Sequence, residues 1–159
     1  MRVRRKPKPS RDQLVAALRA AGCSDPEGWA DSELEENIPQ FARYLLCKAI
    51  WEAAIEPWRQ EDALDAFPDA KLLLDAGVDR ERLRALCGKV AYETMTAVNH
   101  ALDAEEYLGP ADVPEDSPGW LIIETDGKTL EPTGRRAGAI HESILSVDPT
   151  GTEGADFRS

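Results

Sequence analysis

The chain has 159 residues, of which 42% are hydrophobic and 31% charged, and a formal net charge of −11 at pH 7. Such a length suits one domain with a real core, and the composition excludes wholesale disorder. No apolar run approaches the ~20 residues that cross a bilayer, and three cysteines without CxxC spacing argue against a disulfide framework or structural zinc.

The charge is uneven along the chain. Arg2, Arg4, Arg5, Lys6, Lys8 and Arg11 form a basic cluster with no acidic residue among positions 1–11, which leaves 13 basic against 30 acidic residues beyond it. No apolar stretch follows the cluster, so it is not a secretory signal. Residues 1–9, broken by Pro7 and Pro9, are expected to be a flexible arm. The cluster over 2–11 is the one place suited to nucleic acid, which an acidic body otherwise repels. Free thiols and the missing signal imply a cytoplasmic location, with no membrane contact.

A single helical domain is expected over 10–148. Ser10-Arg11-Asp12-Gln13 has the form of a capping box, and Leu14, Val15 and Leu18 share a face of the helix that follows, closed by Gly22. Ser24-Asp25-Pro26 reads as a turn and Ser32-Glu33-Leu34-Glu35 as a second capping box. Residues 39–56 are the most hydrophobic part. Lys48, Glu52 and Glu56 leave one narrow polar stripe, which predicts a central helix between Pro39 and Pro57. Arg43 lies off that stripe and calls for a carboxylate partner. Pro68 and Gly77 bracket another helix.

Asp79 opens the clearest helix. Leu83, Leu86, Cys87, Val90, Ala91, Thr94, Val98 and Ala101 recur at three- and four-residue steps and predict its core face. Lys89, Glu93, Thr96, His100 and Asp103 fall opposite. The helix should end between 103 and 108, before Gly109-Pro110. Cys47 and Cys87 both belong to core patterns.

Residues 109–119 hold three prolines and make a connector. A hairpin is predicted over 120–131, with Asp126-Gly127 as a two-residue turn and Ile123 facing Leu130. A last helix over 136–147 would present Ala137, Ile140, Ile144 and Val147 on one side. Residues 149–159 read as a fraying tail. The fold class is therefore mainly α: a compact multi-helix domain around the 39–56 helix, with one small C-terminal hairpin and a final short helix.

The chemical signals are few. Gly127-Lys128-Thr129 has the letters of a phosphate-binding loop, but Ile122 stands where its first glycine belongs. Neither HExxH nor a Glu-x-x-His pair occurs, so no metal site is expected. Asp148-Pro149-Thr150-Gly151-Thr152 looks like the nucleophile loop of haloacid-dehalogenase-type phosphoryl-transfer enzymes. Those enzymes place a large parallel α/β domain after the aspartate, and only residues 149–159 follow it here, so the stretch reads as a turn. Arg135 and Arg136 open the predicted last helix, where cations oppose the dipole unless they receive an anion. With His141 and Glu142 one turn on, they form a candidate ligand-binding cluster. No cofactor, catalytic residue or metal is indicated.

The leading functional expectation is a non-enzymatic acidic interaction protein that binds a basic protein partner, as inhibitors, immunity-type or anti-defence proteins and adaptors do. Its acid-rich segments around 33–36, 61–65, 103–106 and 112–116 would steer that partner. The alternative is a small-anion or enzymatic site built from Arg135, Arg136, His141 and Glu142.

Overall fold

The computed structural model describes residues 9–103 and 120–158. Residues 1–8 of the N-terminal arm and the 109–119 connector lie outside the described residues. The fold is mainly α, with a small antiparallel hairpin and short helices near the C-terminus.

Helix α1 (Arg11–Ala20) starts at the expected capping box. Ser10 Oγ accepts from the Gln13 amide at 3.3 Å, and Gln13 Oε1 accepts from the Ser10 amide at 2.9 Å. Helix α2 (Pro26–Glu36) begins earlier than the sequence suggested. Asp25 is its N-cap, accepting from the Gly28 amide at 3.0 Å, and Pro26 fills the first turn. Ser32 is therefore mid-helix, and its hydroxyl donates to Glu36 at 2.6 Å.

Helix α3 (Gln40–Ala54) packs against α1, α2 and α5 (Arg80–Leu102), against α6 (Ile140–Ser143), and against the 3-10 turns at Glu56–Arg59 and Leu145–Val147. Its buried face carries Tyr44, Cys47 and Trp51, followed by Ile55. Lys48 and Glu52 pair at 2.8 Å along the polar stripe. The expected carboxylate for Arg43 is absent among the described residues. Its guanidinium is buried and donates to Ser143 Oγ at 3.4 Å, while Nε has no partner.

Helix α4 (Pro68–Asp75) ends at Gly77, whose φ of +91° is readily reached without a side chain. Asp79 then caps α5 (Arg80–Leu102), accepting from the Arg82 amide at 2.9 Å. The buried face of α5 is not the predicted one. It consists of Gly88, Tyr92, Met95 and Asn99, while Leu86, Val90 and Val98 face outward. Cys87 is only half-buried. The cause is the C-terminal segment. Phe157 stacks on Tyr92 with ring centroids 6.2 Å apart, and its ring comes so close to Gly88 that a Cβ there would lie 2.6 Å from it. A small residue and a flat ring accept that contact; leucine or valine would not.

The hairpin is present, but its register differs from the expected one. Strand β1 (Ile123–Thr125) pairs with β2 (Pro132–Arg136), matching Ile123 to Arg136 and Thr125 to Pro132. Asp126 Oδ1 accepts from the amides of Lys128 and Thr129, and the Asp126 amide donates to the Glu131 carbonyl at 2.9 Å. These bonds favour a longer loop over a two-residue turn and leave Leu130 exposed with φ +58°. The predicted 136–147 helix is likewise corrected. Residues through Arg136 are strand, and the Ala137 amide still donates to the Ile122 carbonyl at 2.9 Å. Only the four-residue α6 and a 3-10 turn follow. Ala137, Ile140, Ile144 and Val147 are nevertheless all core.

Residues 149–158 do not fray. The Asp148 carboxylate is fully buried. It accepts from Arg59 at 2.9 and 3.2 Å, from the Thr150 and Gly154 amides, and from the Thr150 and Thr152 hydroxyls. Helix α7 (Ala155–Arg158) then seats Phe157 in the core, and Asp156 takes a second bidentate pair of bonds from Arg59. Burial alone would raise the Asp148 pKa. The hydrogen bonds from Arg59, Gly154 and Thr150 outweigh it and hold the carboxyl well below the usual range.

Replacing Asp148 by Ala should cost about 3–5 kcal/mol in urea unfolding, because Arg59 and several backbone donors lose a buried acceptor. A depressed folded pKa contributes stability above the unfolded carboxyl value that is lost as pH falls. The stability gap between wild type and Asp148→Asn should therefore narrow below about pH 4. A gap that stays constant from neutral pH to pH 2 would show that Asp148 is not ionised in the fold.

Candidate functional site

Of the four predicted site residues, Arg135 and Arg136 lie on the hairpin's second strand and His141 and Glu142 on α6. They do not converge. Arg135, at the end of β2, bonds Glu124 on β1 at 2.8 and 2.5 Å and Glu33 on α2 at 2.7 Å. Glu33 is only 3% exposed, and its second oxygen accepts from the Phe41 amide at the start of α3. Arg135 is thus a clamp between the hairpin and the helices, its charge matched by two carboxylates. Glu142 is exposed on α6.

Arg136 and His141 do meet. They line one small cleft of about 90 Å³, together with Asp103, Trp120 and the chain from Ala137 to Ala139. Asp103 terminates α5 and is buried. Its Oδ2 accepts from the His141 amide at 2.9 Å and lies 2.6 Å from His141 Nδ1. Burial raises the Asp103 pKa, but the His141 amide, the His141 ring and the Ile140 amide outweigh it, so the carboxyl is ionised. An ionised carboxylate cannot donate, so Nδ1 carries the proton. The ring is thereby fixed in orientation, and His100 stacks on it with centroids 4.5 Å apart.

This Asp–His pair was not legible in the sequence. The two residues lie on elements far apart in the chain, and Asp103 appeared to belong to a solvated helix face. Chemically, the pair orients an imidazole in the way that acid–base sites do. Among the described residues no nucleophile accompanies it. Ser143 bonds Arg43, and burial pushes the Cys47 thiol up to about 12. No group of three metal-ligating side chains occurs among the described residues. The loop at Gly127-Lys128-Thr129 is the exposed hairpin turn, and Asp148 is enclosed by its own chain.

The more extensive feature is a surface. Leu64 and Ala70 anchor the stretch from Gln60 to Asp79, and most of the rest is exposed. Phe67 is 50% and Leu72 67% exposed, with Leu73 and Val78 also open. Phe67 stacks on Trp58 at 5.9 Å. Glu61, Asp62, Asp65, Asp69, Asp75 and Asp79 intersperse these side chains, against the single lysine Lys71. Arg80 pairs with Asp65 at 2.8 Å.

No protein-family model matches the chain, and neither a curated protein nor a solved structure shows significant similarity to it.

Substituting Arg135 by Gln should destabilise the fold by about 3 kcal/mol, since Glu33 is left buried without its cation. Chemical denaturation measures this directly. The double change Arg135→Gln with Glu33→Gln should recover more than half of the loss; no recovery would mean that the ion pair is not the cause.

Proposed function

We propose that this protein is an interaction protein that captures a basic protein partner through the surface around α4. The observation that carries this reading is the alternation of exposed apolar and acidic side chains over 60–79. Exposed apolar residues gathered in one place mark association sites more often than bare solvent-facing surface. Here Phe67, Leu72, Leu73 and Val78 offer contact area, and the surrounding carboxylates select the sign of the partner. A cationic segment with its own apolar face, such as an amphipathic basic helix, complements both features. Within 60–79 six carboxylates stand against the one lysine, so the charge of this stretch is acidic.

The small-anion alternative has less support. Arg135 is spent on Glu33 and Glu124, and the cleft at Arg136 and His141 contains the ionised Asp103, which repels an anion.

A dye-labelled amphipathic helix of alternating lysine and leucine faces is the probe for the proposed role. Its binding, read by fluorescence anisotropy, should weaken at least about tenfold between low and physiological salt. Leu72→Asp with Leu73→Asp should weaken it by a similar factor at fixed salt, although these variants add acid. Tighter binding by those variants would show that charge alone drives it and would sink the docking site.

A further inference from the structure

A groove of about 470 Å³ opens between α3 and α5. Ile50 and Ala54 line it from α3, and Met95 and Val98 from α5, with Thr94 and Asn99 as its polar members. Among the described residues no charged side chain lines it.

Asn99 is the anomaly in this groove. It is 0% exposed, and neither its amide nitrogen nor its amide oxygen has a hydrogen-bond partner. The other buried polar side chains among the described residues, Glu33, Gln40, Arg43, Asp103, Ser143 and Asp148, each hold at least one. An unpaired buried amide is costly, and leucine, of nearly the same shape and a better helix former, would avoid that cost. The side chain caps nothing. The Asn99 carbonyl accepts from the Asp103 amide at 3.1 Å, as the end of a helix requires of any residue there.

A concave, largely apolar space with one placed polar group is the usual form of a small-molecule site. The amide offers a donor and an acceptor side by side. A cis-lactam edge presents the complement, and two parallel hydrogen bonds close the pair, as asparagine does with adenine. The lack of charged lining excludes carboxylate, phosphate and ammonium ligands, whose desolvation would go uncompensated. Met95, one turn before Asn99 and unbranched, is the side chain that gives way to admit a ligand to the amide. We propose that the α3–α5 groove binds a neutral, apolar small molecule with a lactam or cyclic-imide edge, and that Asn99 reads that edge. The inference stands on this groove alone and is independent of the α4 surface.

Titration of 2-quinolone, a flat bicyclic lactam, into the full nitrogen-15-labelled chain tests it by nuclear magnetic resonance. The Asn99 side-chain signals and the Thr94, Met95 and Val98 amides should shift together, with a dissociation constant at or below about 1 mM. N-methyl-2-quinolone, which keeps the ring system and loses the donor, should bind at least about tenfold more weakly, and so should quinoline, which keeps only an acceptor. Asn99→Leu should lose this discrimination and bind all three compounds equally weakly. Absence of shifts at the groove, equal binding of the three compounds by wild type, or discrimination that survives Asn99→Leu would each overturn the proposal. If Asn99→Leu does not fold, the three compounds on wild type decide the matter alone.

Discussion

Arg59 and Asp148 form the contact on which the C-terminal half of the fold depends. The guanidinium is largely buried, donates to both Asp148 and Asp156, and lies over the rings of Trp51 and Phe157 at 5.5 and 5.3 Å. With Glu56 at 3.1 Å as well, one cation answers three carboxylates and two aromatic faces. A charge taken this far out of water is tolerable only when its hydrogen bonds are met. Asp148 in turn gathers the amides and hydroxyls of the loop that follows it. The turn is held by a buried anion rather than by burial of apolar side chains, which a segment rich in Gly and Thr could not supply.

The consequences run through the helices. Holding 149–158 against the body places Phe157 on Tyr92 and beside Gly88, and this fixes which face of α5 turns inward. With Gly88, Tyr92, Met95 and Asn99 inside, the end of the helix delivers Asp103 to His141, and the hydrophobic outer stripe is left in solvent. The same rotation therefore creates the oriented imidazole and the exposed apolar surface. Neither can be altered without disturbing the other through α5.

Much of the fold was legible because local chemistry settled it. The capping box at Ser10, the helix between Pro39 and Pro57, the Pro68–Gly77 helix and the Asp79 cap all follow from side chains within one turn of the feature they determine. The errors share a different cause. Periodicity identified an apolar face on α5 correctly but could not say that a second, less hydrophobic face would be chosen by Phe157, more than fifty residues away. The helix predicted from Arg136 lost to a strand because Glu124 and Glu33 draw Arg135 into the sheet. The tail was misjudged because its anchor, Arg59, lies 89 residues from Asp148. The candidate site shows the same limit: Arg136 and His141 share one segment, while Asp103, which orients the imidazole, comes from another.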